Sequence, residues 1–257
     1  MKVKNVFSLF PHSLNSFHFT HVPECENTQD LALMLALESS KIQLVLCDVQ
    51  KKGRGRQGSS WMSAPEKSFT CSLAFKIEAP SAHSSYALIP HMAGLALWKT
   101  LSQTDPSFEK ICFKWPNDLG IFHQKEFRKV AGVLVEIKKN ILIIGWGLNV
   151  FSPAPLSQAM ALDEIQKDIF FTNSDFASKL AQNFLQLFSE HQKNSKDVED
   201  QFLEFLFQKV MKPLWGRFLA SKLGEGKAIS LGKDGSLLLL STKQEIVEIK
   251  SGEIILK

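Results

Sequence analysis

The chain has 257 residues, 44% hydrophobic and 22% charged, the balance of a globular protein with one large core and room for a small appendage. Its formal net charge of +4 excludes binding of polyanions by overall charge, so an anion site must come from local clustering. No run reaches the ~18 apolar residues that span a bilayer, and Pro11, His12 and Asn15 interrupt any apolar signal segment near the start, so a cytoplasmic protein without membrane contact is expected.

Residues 27–38 (NTQDLALMLALE) read as a helix with Asn27 as N-cap and Asp30 in the first turn, where a carboxylate suits the helix dipole. The runs 42–50 (IQLVLCDVQ) and 69–77 (FTCSLAFKI) read as strands, and the Gly- and Ser-containing segment between them as irregular. Residues 86–101 read as a largely buried helix, started or kinked near Pro90. ICFKW, LGIFH, VAGVLVEI and ILIIGWGLNV then follow with short polar breaks, which predicts antiparallel hairpins or a meander.

A proline-bearing loop, FSPAPLSQAM, precedes an amphipathic helix carrying Ala177, Leu180, Ala181, Phe184, Leu187 and Phe188, with Thr172 and Asp175 set as a capping box. Beyond Lys212 and Pro213 the texture changes to short apolar runs punctuated by Asp234-Gly235 and Ser251-Gly252. About 45 residues make too small a core to stand alone, so a small β-barrel docked on the main domain is expected. Cys25, Cys47, Cys71 and Cys112 are spread without a CxxC pair, which reads as buried free thiols rather than disulfides or a metal site.

Three short motifs carry chemistry. In VQKKGRGRQGSSW, four cations (Lys51, Lys52, Arg54, Arg56) alternate with Gly53, Gly55 and Gly58 directly after a strand. A solvated turn is the common reading of such a cluster, and a nucleic-acid contact the next. Against both, glycines admit close backbone approach, and guanidinium forks beside exposed amides suit a phosphate. No Gly-Lys-Ser/Thr follows, so it is not a Walker A loop. KWPND, at 114–118, alone reads as a tight turn. Lys129 stands at the mouth of a strand beside Gly132, which leaves room for a ligand, although a single lysine there is most often surface decoration.

In this order, GRGRxG with Trp61 after it, KWPND, RK-x-AG-x-LVE and a closing GWGLN resemble the biotin protein ligases, or holocarboxylase synthetases, from about Asn27 to Asn149 and again in SGEI at 251–254. The resemblance implies an α+β fold: a mixed, mostly antiparallel central sheet with flanking helices, similar to class II aminoacyl-tRNA synthetases, plus a small SH3-like barrel. The catalytic biotin/ATP-binding domain would span residues 1–210 and the small β domain 211–257. The implied activity is an ATP-dependent, AMP-forming ligase that activates biotin with ATP and Mg2+ as biotinyl-5′-AMP. It would then pass the biotinyl group to one lysine of the biotin carboxyl carrier protein of acetyl-CoA carboxylase. A monomer or homodimer with no metal site of its own is expected.

Residue by residue, the resemblance implies that Lys129 bridges the biotin carboxylate and the phosphate. Arg54 and Arg56, with Gly53 and Gly55, would form a mobile lid over the adenylate. Asp118 would orient or help deprotonate the acceptor lysine, giving Lys129, Arg56 and Asp118 as the catalytic set. Asn27, Thr28, Gln29, Gln50 and Gly132 would join the lid and Lys129 in holding biotin, Gln50 facing the ureido ring. Trp61, Lys114, Asn117 and Asn149 would join Arg54, Arg56 and Lys129 in holding the nucleotide.

This sequence departs from the family in reading Asn27-Thr28-Gln29 where Ser-Thr-Asn is usual, and Gln57 where a cation is usual. It begins too near the first helix for the winged helix-turn-helix of the repressor members, so no DNA binding is expected. The rivals are a lipoate or octanoate ligase or transferase of the same superfamily, which usually lacks KWPND, and an RNA-binding module. The latter predicts aromatics interleaved with the cations, where only Trp61 stands near.

Overall fold

A computed structural model describes residues 17–77, 84–123, 126–154, 156, 158–192 and 196–256. In chain order its elements are β1 (Phe17–Cys25), α1 (Thr28–Glu38), β2 (Ile42–Gln50), β3 (Gly53–Arg54), β4 (Ser60–Trp61), β5 (Ser68–Lys76), α2 (Ile89–Thr104), β6 (Cys112–Lys114), β7 (Asp118–His123), β8 (Glu126–Lys138) and β9 (Ile141–Asn149). Helices α3 (Asn173–Gln192) and α4 (Lys196–Phe205) lead on to β10 (Phe218–Ser221), β11 (Gly224–Leu231), β12 (Leu237–Leu240), β13 (Ile246–Ile249) and β14 (Ile255–Leu256).

Seven strands form the main sheet in the order β1-β2-β5-β9-β8-β7-β6. Strands β6 to β9 are the expected meander, and every pair is antiparallel except β1 with β2. Lys139 and Asn140, at φ 51° and 60°, make the tight turn between β8 and β9, the hairpin form whose twist matches its strands. The parallel edge strand β1 was not anticipated. Its sequence, FHFTHVPEC, is only half buried and contains Pro23, whose missing N–H a sheet tolerates at an edge.

Alternation sorts the two faces. On β2, Leu44 and Leu46 enter the large core with α2 and α3, while Val45 packs under α1 with Ala32, Ala36, Ala74 and Ile143. On β9, Leu142, Ile144, Trp146 and Leu148 join the large core, and Ile141 and Ile143 the α1 side. The next two positions on that side are Gly145 and Gly147, where the apolar floor gives way to a recess. Trp146 is fully enclosed and donates its indole N–H to Ala93 O at 3.0 Å.

Helix α1 carries the expected cap: Asn27 Oδ1 accepts from Gln29 N at 2.8 Å and Asp30 N at 3.3 Å. Pro90 lies in the first turn of α2, where its missing N–H breaks no bond. At the entry to α3, Thr172 Oγ1 accepts from Asp175 N at 3.2 Å and donates to the Asp175 carboxylate at 2.6 Å. Helix α4 had no expectation attached.

The second sheet runs β13-β12-β11-β10-β14, all antiparallel. Leu219, Ala228, Leu237, Leu239 and Ile249 feed the same apolar cluster as the main sheet, and Trp115 Nε1 donates to Gly235 O at 2.9 Å between the two. Gly235 sits at φ 76° in the β11–β12 turn, a conformation that favours glycine. The four cysteines are free, but Cys25 is only half buried, unlike the others; it lies at the end of the edge strand. Among the described residues no helix is long and apolar enough to cross a membrane.

Candidate active site

The recess on the α1 side of the sheet opens into a cavity of about 340 Å³. The N-terminus of α1, the end of β2, the β3–β4 hairpin, the 114–118 turn, β8 and β9 all contribute walls. Of the fifteen residues singled out from the sequence, all but Gly53 and Asn149 line it. Gly53 lies beneath the hairpin, opposite Trp61, and a Cβ there would meet Trp61 O at 2.3 Å. Asn149 is buried at the end of β9, its Nδ2 donating to Met160 O at 3.4 Å.

One end of the cavity is polar and tightly wired. Gln50 Oε1 accepts from Thr28 N at 2.8 Å and Thr28 Oγ1 at 2.9 Å, and Ser72 Oγ donates to Thr28 Oγ1 at 2.8 Å. With its carbonyl engaged, Gln50 has its amide N–H donors left for the cavity. Ser63 clamps the Gln50 backbone from both sides, accepting from its N–H at 2.8 Å and donating to its carbonyl at 3.0 Å. Asn27 is engaged in the α1 cap and donates to Lys52 O at 3.0 Å, so it holds the strand exit to the helix start. Gln29 lies over Gly145, where a Cβ would come within 3.0 Å of its side chain, and reaches Leu134 O at 3.4 Å.

The segment expected to be irregular is a short hairpin. β3 pairs with β4, Arg56–Gly58 form a 3-10 turn, and Gly55 N donates to Ser59 O at 2.7 Å. Gly55 serves this closure directly, since a Cβ would lie 2.4 Å from Ser59 Oγ. Gln57 at φ 54° and Gly58 at φ 77° turn the chain back, so its glycines first let backbone meet backbone. The hairpin delivers the Trp61 indole onto Gly147, whose absent side chain is what admits it: a Cβ there would lie 2.3 Å from the ring.

The two arginines of the hairpin go different ways. Arg54 forks onto the Asp30 carboxylate, with one contact at 2.8 Å, and also reaches Glu136 Oε2 at 3.1 Å. Arg56 is half-buried, and its Nη1 donates to Asn117 Oδ1 at 3.2 Å and Gly252 O at 3.3 Å. Burial holds its guanidinium below the ordinary arginine value, against the pull of Asp118 and Glu253; it remains cationic.

Lys129 Nζ lies 2.7 Å from Asp118 Oδ1 and 5.5 Å from the centroid of the Trp61 ring. Gly132 makes room for it, since a Cβ there would come within 3.0 Å of Lys129 Nζ and Cε. Lys114 stands over the Phe127 ring at 5.3 Å. Asn117 Nδ2 donates to Val133 O at 2.8 Å and fixes the 114–118 turn to β8. Four cations (Arg54, Arg56, Lys114 and Lys129) against two carboxylates (Asp118 and Glu253) thus line one recess, and such a place favours an anion with an acyl or phosphoryl group.

Sequence reasoning missed Leu134, Gly145, Gly147 and Glu253 as lining residues. The paired glycines of GWGLN, at alternate positions of a strand, were the available signal for two of them.

A mostly antiparallel sheet with a cationic hairpin over one face thus frames the recess. Residues 23–149 match the biotin/lipoate A/B protein ligase family. Along 93% of its length the chain is similar in structure to a biotin protein ligase from Aquifex aeolicus in complex with biotin and ATP, covering 98% of that chain with a TM-score of 0.72 and 26% identity. It is 26% identical over 162 residues to the bifunctional ligase/repressor BirA of Salmonella typhimurium (61% of this chain, 45% of that one). Against biotin–protein ligase 2 of Arabidopsis thaliana it is 26% identical over 174 residues (63% and 50%). The chain spans about half the length of the curated relatives it matches.

Proposed function

We propose that the chain is an ATP-dependent biotin–protein ligase that forms biotinyl-5′-adenylate and passes the biotinyl group to a lysine of a biotin carboxyl carrier protein. The observation that carries this reading is the joint lining of one cavity by the hydrogen-bonded Thr28–Gln50 pair, which Ser72 backs from the buried side, and by Lys129 and Arg56. A ureido ring offers two donors and a carbonyl: the Gln50 amide N–H can donate to the carbonyl, and the remaining lone pair of Thr28 Oγ1 can accept from one ring N–H. Gln29, Leu134 and the Trp61 indole supply sides for the ring and chain, and the cavity has a volume in the roughly 300–1,000 Å³ range of small-ligand sites.

A carboxylate approaching an α-phosphate brings two anions together. Lys129 stands where its ammonium can exchange Asp118 for both, and Arg56 supplies the second charge. Once Lys129 turns to the adenylate, the freed Asp118 carboxylate can accept a proton from the acceptor lysine. Among the described residues no group of three or more His, Cys, Asp or Glu is placed to hold a metal. Mg2+ bound with ATP would neutralise phosphate charge, and Asp118 and Glu253 are the carboxylates of the cavity lining that would face it. Lys114 and Asn117 lie on the nucleotide side, and closure of the hairpin keeps water from the mixed anhydride. We assign this chemistry to residues 1–210, with 211–257 as a small β domain that lends Gly252 and Glu253 to the cavity rim.

Lipoate and octanoate offer nothing to the Thr28–Gln50 end, which is why biotin is preferred here. The test is pyrophosphate release with MgATP and biotin, lipoate or octanoate in turn, followed by transfer to an apo carrier domain. Release with biotin alone is expected. Release with lipoate or octanoate and not with biotin would overturn the assignment.

A further inference from the structure

We propose that Arg54 is the fixed base of the hairpin rather than a ligand for phosphate, and that Asp30 and Glu136 are positioning residues for the biotin end of the cavity. The inference rests on the ligase reading for its substrate but not for its geometry. Three separate chain segments meet at this guanidinium: β3 through Arg54, the first turn of α1 through Asp30, and β8 through Glu136. The fork on Asp30 is bidentate, and Lys138 Nζ occupies the other oxygen of Glu136 at 2.8 Å. Such a network is held better than a single surface pair, because its geometry is set from several sides.

Charge decides the role. Arg54 and Lys138 balance Asp30 and Glu136, so this cluster has no net charge to offer an incoming anion. Arg56 differs: its hydrogen bonds go to two neutral oxygens, of Asn117 and Gly252, and among the described residues it makes no ion pair within 4.0 Å. One arginine of the GRGR run anchors and the other is available.

The anchor touches the biotin end through short covalent paths. Asp30 lies two residues after Thr28, which holds Gln50, and the Asp30 backbone N–H is part of the Asn27 cap. Glu136 lies two residues after Leu134, whose carbonyl receives Gln29 Nε2. Loosening Arg54 therefore loosens both the hairpin and the two residues that frame the ureido site, while Lys129 and Asp118 stay as they are.

The test combines steady-state kinetics with hydrogen exchange in Arg54→Ala, Arg54→Lys, Asp30→Asn, Glu136→Gln and the double variant Arg54→Ala/Asp30→Asn. Each single change is expected to raise the KM for biotin by roughly 5- to 20-fold, with kcat and the KM for ATP within about threefold. The double variant should be no worse than Arg54→Ala alone, because Arg54→Ala already breaks the contact that Asp30→Asn weakens. Arg54→Lys should fail to restore the KM, since an ammonium cannot fork onto two carboxylates. Amides of residues 53–61 should exchange faster in every variant.

A lower kcat or higher KM for ATP in Arg54→Ala, with Asp30→Asn and Glu136→Gln like the parent, would make Arg54 a nucleotide ligand and sink the proposal. If the parent released no pyrophosphate with biotin, the activity reading would fail by itself. The exchange measurement would still decide the anchor, since unaltered exchange across all variants refutes it.

Discussion

Replacing Lys129 by alanine tests the centre of the assignment. Its ammonium lies 2.7 Å from Asp118 Oδ1, with the two side chains 35% and 22% exposed, so an effective dielectric of about 20 is appropriate. Two unit charges at that distance attract by about 6 kcal/mol, and an ammonium about 3 Å from a phosphate oxygen gains about 5.5 kcal/mol on the same scale. The exchange of Asp118 for substrate is therefore close to neutral in the ground state. On the proposed reading, the rate contribution of Lys129 would come from the extra charge on the carboxylate–phosphate centre in the transition state. Loss of one such donor costs about 2.7–4 kcal/mol, or about 10²- to 10³-fold in kcat. Folding should survive, because Lys129 is not in the apolar core and Arg56 still faces Asp118. The assay is pyrophosphate release at saturating biotin and MgATP, beside a thermal melt. A folded variant turning over within about threefold of the parent would refute the reasoning.

Three further outcomes are expected. Arg56→Gly should still form adenylate but leak it, so that the ratio of pyrophosphate formed to biotin transferred climbs above about one and free biotin reappears; an unchanged ratio with both half-reactions slowed alike would make Arg56 a ground-state binder. Gly147→Ala places a Cβ 2.3 Å from the Trp61 indole, which must retreat by about 1 Å. Misplacement on that scale costs on the order of 10²-fold in kcat/KM, while alanine in a strand leaves stability within about 1 kcal/mol; activity and indole fluorescence read the two effects. His91 is buried, and desolvation pushes its pKa down to about 4 from 6.5. Only the unfolded chain takes up a proton between those values, so the His91 contribution is intact above pH 6.5 and about 3 kcal/mol is lost by pH 4. Urea unfolding of the parent against His91→Leu should show that slope in the parent alone.

What the sequence made legible was whatever local chemistry decides. Asn27 caps α1 because its side chain reaches amides two and three residues on, a relation visible in four letters. The β6–β9 meander followed from apolar runs with breaks too short for a crossover. The edge strand β1 was hidden for the converse reason: half-exposed, Pro-containing and paired in parallel, it owes its strand form to β2 and not to its own pattern. The small hairpin was hidden because Arg and Gly look alike whether they meet a ligand or one another. Only the approach of Gly53 to Trp61 and of Gly55 to Ser59 shows that those glycines serve the fold. Likewise the motif spelled two equivalent arginines, and only Asp30, far off in sequence, separates their roles.

The position of Arg56 also bears on the second sheet. One guanidinium nitrogen bonds to Asn117 in the 114–118 turn and to Gly252 beyond β13, and Asn117 is bound in turn to Val133 on β8, through its side chain at 2.8 Å and its carbonyl at 2.9 Å. A half-buried cation tolerates its surroundings only where oxygens replace the water it has lost. Two of those oxygens come from segments on different sheets. Neither sheet alone can hold Arg56 where it is, so the C-terminal strands are a wall of the cavity as well as a cover for the core. The Gly252 carbonyl, in the SGEI stretch far from the other motifs in sequence, completes the seat of the hairpin arginine that makes no ion pair among the described residues.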